Sequence, residues 1–335
     1  MNPAFLRRAL TAFAVLLAAI APARGQTLDK VSFGTNWVAE AEHGGFYQAV
    51  ADGTYKKYGL DVTIVPGGPQ VNNRMLLLAG RIDFLMSANC LQAFDAVAQN
   101  IPVIAVAAIF QKDPQVLLAH PGAAETFEDL KKLTLLVSSE GLQTYYKWMQ
   151  AEFGFSESQT KPYTFNPQPF LIDRNSAMQG YVTSEPFAVE KAGVKPKIFL
   201  LADQGFNTYS TLIEARRETV EKRPDLVQRF VDASAIGWYN YLYGDNKAAN
   251  ELIRKHNPEM SQELIDYSIA KMKEYGIVDS GDTLKDGIGA MSDAHMASFF
   301  DKMVKAGVVK PSVDFRRSYT LQFVNKGVGL ELRPK

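Results

Sequence analysis

The chain has 335 residues, and its 36 basic and 36 acidic side chains give a formal net charge of +0. That length supplies two domains of ordinary size. The hydrophobic share of 47% and charged share of 21% exclude a disordered chain, and the lack of any basic stripe argues against nucleic acid as the main partner.

Residues 1–25 read as a secretory signal. Arg7 and Arg8 form a basic start, Ala9 to Ala21 an apolar run too short to span a bilayer, and Ala21-Pro22-Ala23 a small-residue cleavage pattern; a cut after Gly25 fits as well. The expected location lies outside the cytoplasm: the periplasm, between two membranes, or the medium for a freely secreted chain. Cys90 is the single cysteine, so an internal disulfide is impossible and stability must come from the core.

Val31 to Thr35 alternates apolar and polar residues as a strand. Gly45 to Lys57 reads as a helix broken near Gly53 and ended by Gly59, and Leu60 to Val65 as a second strand. After the turn cluster Pro66-Gly67-Gly68-Pro69 come a helix over Asn72 to Ala79, a buried strand over Ile82 to Met86, a helix over Leu91 to Gln99 and a buried strand over Val103 to Ile109. Strands alternating with helices imply crossover units and largely parallel sheets.

The pattern restarts at Thr126. Thr126-Phe127-Glu128-Asp129 reads as a helix start, Leu133 to Val137 as a strand, Leu142 to Phe153 as a helix stopped by Gly154, and Pro162 to Phe165 as extended chain. Phe170 to Gln179 is expected to be helical, Gly180 to Thr183 a short strand, Pro186 a first-turn proline, and Ile198 to Leu201 a strand. Ser210 to Ala215 is extended. Pro224 to Tyr243, Ser261 to Tyr275 and Asp293 to Ala306 are amphipathic helices, and Tyr319 to Leu332 is expected to be mostly extended. Two α/β units follow, the second inserted into the first, with crossings near Gln111 to Val116 and Gly205 to Tyr209.

In open α/β sheets, ligands bind beyond the carboxyl ends of the strands. The residues after the predicted strands are Asn36 and Trp37; Ser87, Ala88 and Asn89; Ser138, Ser139 and Glu140; and Ser184 and Glu185. Hydroxyl, amide and carboxylate groups of this kind fix a ligand's orientation while an aromatic face supplies apolar contact. Trp37 is placed to stack on a planar or cationic ligand, or simply to pack. Asn36 can pair with a heteroaromatic edge or cap a turn. Glu185 can meet an amino group, or serve as a helix-start acid. His43, at a helix start, is a ligand contact or a local hydrogen-bond partner. Ser139-Glu140-Gly141 opens a helix whose free N–H groups suit an anion, though ordinary capping is the better explanation of the same residues. Tyr209, at the second crossing, completes the candidate set.

Enzyme signatures are sparse. The histidines at 43, 120, 256 and 295 lack metal-ligand spacing, and there is no phosphate-loop lysine motif or nucleophile elbow. Cys90 reads as a buried structural thiol. No cofactor or metal is expected.

Asn36-Trp37, His43-Gly44-Gly45-Phe46-Tyr47-Gln48-Ala49, Gly53 to Val62, Ala79-Gly80-Arg81-Ile82-Asp83-Phe84, Phe127-Glu128-Asp129-Leu130-Lys131 and the Glu185-Pro186 pair resemble ABC-transporter solute-binding proteins of the sulfonate/nitrate/taurine and thiamine-pyrimidine family, over roughly residues 30 to 255. The resemblance implies an α/β, two-lobed periplasmic binding protein fold (type II): two mostly parallel sheets flanked by helices, with two hinge crossovers. Residues 26–114 would form the first part of lobe 1, 115–206 an inserted lobe 2, and 207–335 the return to lobe 1 with C-terminal helices. It implies a monomer that closes on one small molecule and delivers it to an ABC permease with its ATPase. The Asn-Trp pair is typical of the pyrimidine-binding branch, where the aromatic stacks and an acid meets the exocyclic amino group. Asn36, Trp37 and Glu185, with His43 and Tyr181, carry over on that basis. A sulfonate, nitrate or other small organic anion is the alternative ligand, and a pyrimidine synthase a further reading, opposed by the missing cysteine-rich run. The segment Asn175 to Val182 departs from the family's usual pattern.

Overall fold

The computed structural model describes residues 27–68 and 71–334; the expected targeting segment lies outside the described residues. The first five-stranded sheet has the order β2-β1-β3-β10-β4, from β1 (Asp29–Gly34), β2 (Leu60–Val65), β3 (Phe84–Asn89), β4 (Val103–Phe110) and β10 (Ser210–Arg216). The second has the order β7-β6-β8-β5-β9, from β5 (Gln115–Ala119), β6 (Thr134–Val137), β7 (Thr160–Pro162), β8 (Ser176–Tyr181) and β9 (Lys197–Leu200).

Both sheets follow one plan. β1 pairs parallel with β2 and β3, and β10 runs antiparallel between β3 and β4. Likewise β6 pairs parallel with β7 and β8, and β5 runs antiparallel between β8 and β9. In each sheet four strands share a direction and the fourth in order opposes them, so the sheets are mixed. Each opposing strand directly follows a crossing: the chain leaves β4 at Phe110 and enters β5 at Gln115, then leaves β9 at Leu200 and enters β10 at Ser210.

The chain after β10 returns to the first sheet. The helix Pro224–Tyr243 packs on the helix Gly44–Ala51, and glycine makes the approach possible: a Cβ on Gly45 would lie 2.1 Å from Trp238 Cγ, and one on Gly237 would lie 2.4 Å from the Gly45 carbonyl oxygen. Phe230 stacks on Phe84 with centroids 4.2 Å apart and on Tyr55 at 5.3 Å, joining helix and sheet in one core. The helices Gln262–Glu274 and Asp293–Lys305 also reach the second lobe. Ser268 Oγ donates to the Thr183 carbonyl at 2.8 Å, Tyr267 packs on Phe187, and Phe299 packs on Phe206.

Three sequence expectations need correction. The helix expected over Phe170 to Gln179 stops at Ile172, and residues 176–181 form β8, a central strand. An Asx turn at Asp173, which accepts from the Asn175 N–H, turns the chain there, and the polar composition of Ser-Ala-Met-Gln-Gly-Tyr concealed a buried strand. The strand expected over Ile82 to Met86 begins at Phe84 and runs on to Asn89. The tail over Tyr319 to Leu332 is built of turns, with one bridge from Tyr319 to Ala105. β5 and the helix Lys247–His256 went unpredicted.

Candidate functional site

A cleft of about 310 Å³ lies between the two sheets' polar rims. The first lobe contributes Asn36, Trp37 and Glu40 from the loop after β1, and Ala88, Asn89 and Gln92 from the end of β3 and the helix that follows. The second contributes Ser138, Glu140 and Tyr145 around the helix after β6, Phe165 after β7, and Gln179, Tyr181, Ser184 and Glu185 along β8 and beyond. Asp113 and Gln115, at the first crossing, stand between them.

Local structure fixes these side chains. Asn89 Oδ1 accepts from the Leu91 N–H at 3.0 Å, capping the helix Cys90–Ala98. Ser138 caps the next lobe's helix in the same way, its Oγ accepting from Gly141 N–H at 3.1 Å. Gln179 is buried in β8, and its Oε1 accepts from the Ser138 N–H at 2.5 Å and the Tyr145 hydroxyl at 2.9 Å. Glu185 Oε2 accepts from the Tyr181 N–H at 2.7 Å and the Ser184 hydroxyl at 2.6 Å, and Gly180 leaves room for it, since a Cβ there would lie 2.6 Å from Glu185 Cβ. Asp113 Oδ1 accepts from the Gln115 N–H at 2.9 Å.

The lining is acidic. Glu40, Asp113, Glu140 and Glu185 all contribute, and among the described residues no lysine, arginine or histidine does. Burial raises the Glu40 carboxyl well above its ordinary range, with Glu42 and Glu185 adding to the effect. Burial likewise raises Glu185 and Glu140, and pushes Asp113 up to about 6. The Tyr181 phenol is raised by burial and then by Asp113, Glu140, Glu40 and Glu42. Such a site favours a ligand that brings hydrogen-bond donors or positive charge.

The structure gathers Asn36, Trp37, Asn89, Tyr181 and Glu185 around the cleft, and leaves four expected residues out of its lining. His43 is fully buried behind the Glu40 loop, its two ring nitrogens unpartnered and Nε2 3.6 Å from Glu40 Oε1. Ser87 lies inside β3, which runs past its expected end, and faces Leu212 of β10 in register. Ser139 is exposed one residue beyond the cap, and Ser138 takes the lining position. Tyr209 turns away to the C-terminal helices: its hydroxyl donates to Asp282 and accepts from the Ser292 N–H at 3.0 Å, and its ring stacks on His295.

Sequence reasoning missed Glu40, Asp113, Gln179 and Phe165. Glu40 lies four residues past Asn36 in the loop already singled out, and Asp113 lies in the predicted first crossing, so both carried a usable signal. Gln179 was hidden in the misread helix, and Phe165 stood in an extended segment with nothing to mark it.

Comparison with known proteins bears on this arrangement. The chain is 23% identical over 324 residues to the riboflavin-binding protein RibY of Chloroflexus aurantiacus, covering 92% of this chain and 90% of that protein. It is 29% identical over 105 residues to the 4-amino-5-hydroxymethyl-2-methylpyrimidine phosphate synthase of Aspergillus parasiticus, covering 31% of this chain and 30% of that one. The crystal structure of the periplasmic aliphatic sulphonate binding protein SsuA from Escherichia coli superposes with a TM-score of 0.63 at 13% identity, covering 87% of this chain and 91% of that chain. The fold is that of the periplasmic binding proteins. Because the family described as NMT1/THI5 like matches residues 40–249, more than half of the sequence, the chain belongs to the NMT1/THI5-like family.

Proposed function

We propose that this protein is the periplasmic solute-binding component of an ABC importer, and that it holds a small amino-substituted heteroaromatic, an aminopyrimidine or a close analogue, between its lobes. The observation that carries the reading is the lining itself: four carboxylates and no basic side chain among the described residues, beside the aromatic faces of Trp37 and Phe165. A protonated or amino-bearing ring satisfies both features. Its plane contacts the aromatics and its N–H groups meet carboxylates through charge-assisted bonds. A sulfonate or nitrate would enter an acidic site without a countercharge. The chain then acts as a monomer that closes on its ligand and docks on the permease, because only the closed state brings both rims to the ligand.

A flavin is the second reading, favoured by the match to RibY along nearly the whole chain. A pyrimidine synthase is opposed by Cys90, which is fully buried beside Met296 with its thiol pushed up to about 12, and by the short extent of the synthase match. Thermal melting with an aminopyrimidine, riboflavin, taurine and nitrate tests the assignment, since a ligand bound only by the folded state must raise the midpoint. A rise with taurine or nitrate alone would transfer the protein to the anion binders.

A further inference from the structure

Beside the cleft is a recess of about 20 Å³, with room for one water-sized group and none for a ring. Asn36, Glu40, Ala88 and Tyr181 line both spaces, so the recess adjoins the cleft. Glu42 and Ser210 line the recess alone. Two carboxylates therefore converge on a volume that holds a single small group. Glu42 accepts from the Thr183 hydroxyl of the other lobe, and among the described residues no other side chain donates to it.

Three buried polar groups around these carboxylates lack partners. Among the described residues Ser210 Oγ, 3% exposed and on the recess wall, makes no hydrogen bond; neither does either ring nitrogen of His43, nor the Tyr241 hydroxyl, which is raised by burial and then by Glu42. His43 does not supply the missing charge, because burial pushes its imidazole down to about 3 and keeps it neutral. Buried polar atoms are ordinarily satisfied, so an orphaned hydroxyl on the wall of a doubly acidic recess points to an occupant.

We propose that the recess seats one compact monocation, an ammonium-type nitrogen held by Glu40, Glu42 and Ser210, and that in the working protein this is an amino arm of the ligand whose ring lies in the adjoining cleft. The inference rests on the cationic-heteroaromatic reading of the cleft for its source, and on the recess alone for its chemistry. The arm reaches past Asn36 and Tyr181, so ligands lacking it leave two carboxylates unpaired and lose affinity accordingly.

The test needs no identified ligand. The melting midpoint of the full protein is measured at neutral pH and equal ionic strength in ammonium, methylammonium, sodium, potassium and choline chlorides, choline being too large for the recess. Ammonium and methylammonium are expected to raise the midpoint by about 2 °C over choline. The gain disappears in Glu42→Gln and in Ser210→Ala, and persists in Asp301→Asn, an exposed carboxylate on the helix Asp293–Lys305 that lines neither space. Ser210→Ala keeps the test alive should Glu42→Gln fold poorly. No gain over choline, or a gain that survives both recess variants, overturns the proposal. A gain from sodium or potassium without ammonium also overturns it, by assigning the recess to a free metal ion. Failure of aminopyrimidine to bind, with the ammonium gain intact, would count against the ring and not against the recess.

Discussion

Trp37 and Phe165 face each other across the cleft with ring centroids 5.8 Å apart and planes tilted by 37°. They belong to different lobes: Trp37 follows β1 and Phe165 follows β7. Phe165 is 62% exposed and holds a positive φ of 60°, a costly conformation for a bulky side chain. An exposed ring held in a strained backbone contributes little to folding, so its value lies in what it touches when the lobes meet.

The pair gives the first prediction. Trp37→Ala and Phe165→Ala should each weaken aminopyrimidine binding about tenfold by calorimetry, the loss expected from removing one aromatic contact of about 1.5 kcal/mol. Phe165→Gly should weaken binding equally without lowering the midpoint of urea unfolding, because glycine tolerates positive φ. A stability loss with unchanged affinity would return Phe165 to a packing role.

Acidity separates folding from binding. Asp113 is raised to about 6, and Glu40, Glu42, Glu140 and Glu185 are raised as well. The folded chain therefore takes up protons at a higher pH than the unfolded chain. Asp113 should make the ligand-free protein more stable as pH falls from 7 through about 6 toward its ordinary value near 4. Asp29, Asp129, Glu218 and Glu263 are held low by basic partners and act with the opposite sign, below that window. Affinity for a cationic ligand should move the other way and fall across the same range as carboxylates lose their charge. Melting and calorimetry at pH 5 to 8, with Asp113→Asn flattening part of both trends, check the pair of slopes.

The hydroxyl of Thr183 in the second lobe donates to Glu42 in the first, and Ser268 holds the Thr183 carbonyl. This contact exists only while the lobes are together. Thr183→Val should shift the population toward the open form, enlarge the radius of gyration in solution scattering, and weaken ligand binding about tenfold, the value of one hydrogen bond to an acidic group. An unchanged scattering profile and affinity would deny the contact any part in closure.

The glycines after His43 serve a different purpose from the tryptophan before it. Gly45→Ala would drive a methyl group into Trp238, and should destabilise the protein by about 1–3 kcal/mol in urea unfolding while leaving the affinity of the folded fraction unchanged. A drop in affinity at constant stability would place Gly45 in the site instead.

The segment from β1 to β2 was legible in the sequence because short-range rules govern it: alternation in Leu60–Val65, a left-handed Gly59, a loop of polar and aromatic residues at the strand end. The helix Pro224–Tyr243 was legible for the same reason, since one apolar stripe and a first-turn proline define it. β8 was not, because its burial comes from neighbours on both sides and its own residues are largely polar. Site residues divided along the same line. Asn36, Trp37 and Glu185 follow their strands in sequence and line the cleft, whereas Ser87 and Tyr209 were displaced by a strand that ends three residues later than expected and by helices packed from the far end of the chain. Asp113 reaches the cleft through the first crossing between lobes, which the sequence located near Gln111 to Val116 without marking which of its side chains faces the ligand.

The position of β10 governs the order in which the molecule can be assembled. β3 and β4 have no direct pairing; β10 fits between them, and the whole second sheet is translated before it. Until β10 follows, roughly a hundred residues after Phe110, one edge of β3 and both edges of β4 stay unpaired, while the later sheet, built from one continuous stretch, can complete itself first. Open edges invite pairing with other chains. A newly made molecule is thus most exposed to aggregation just before residue 210 emerges, and a chaperone that shields β3 and β4 at that stage would protect it most.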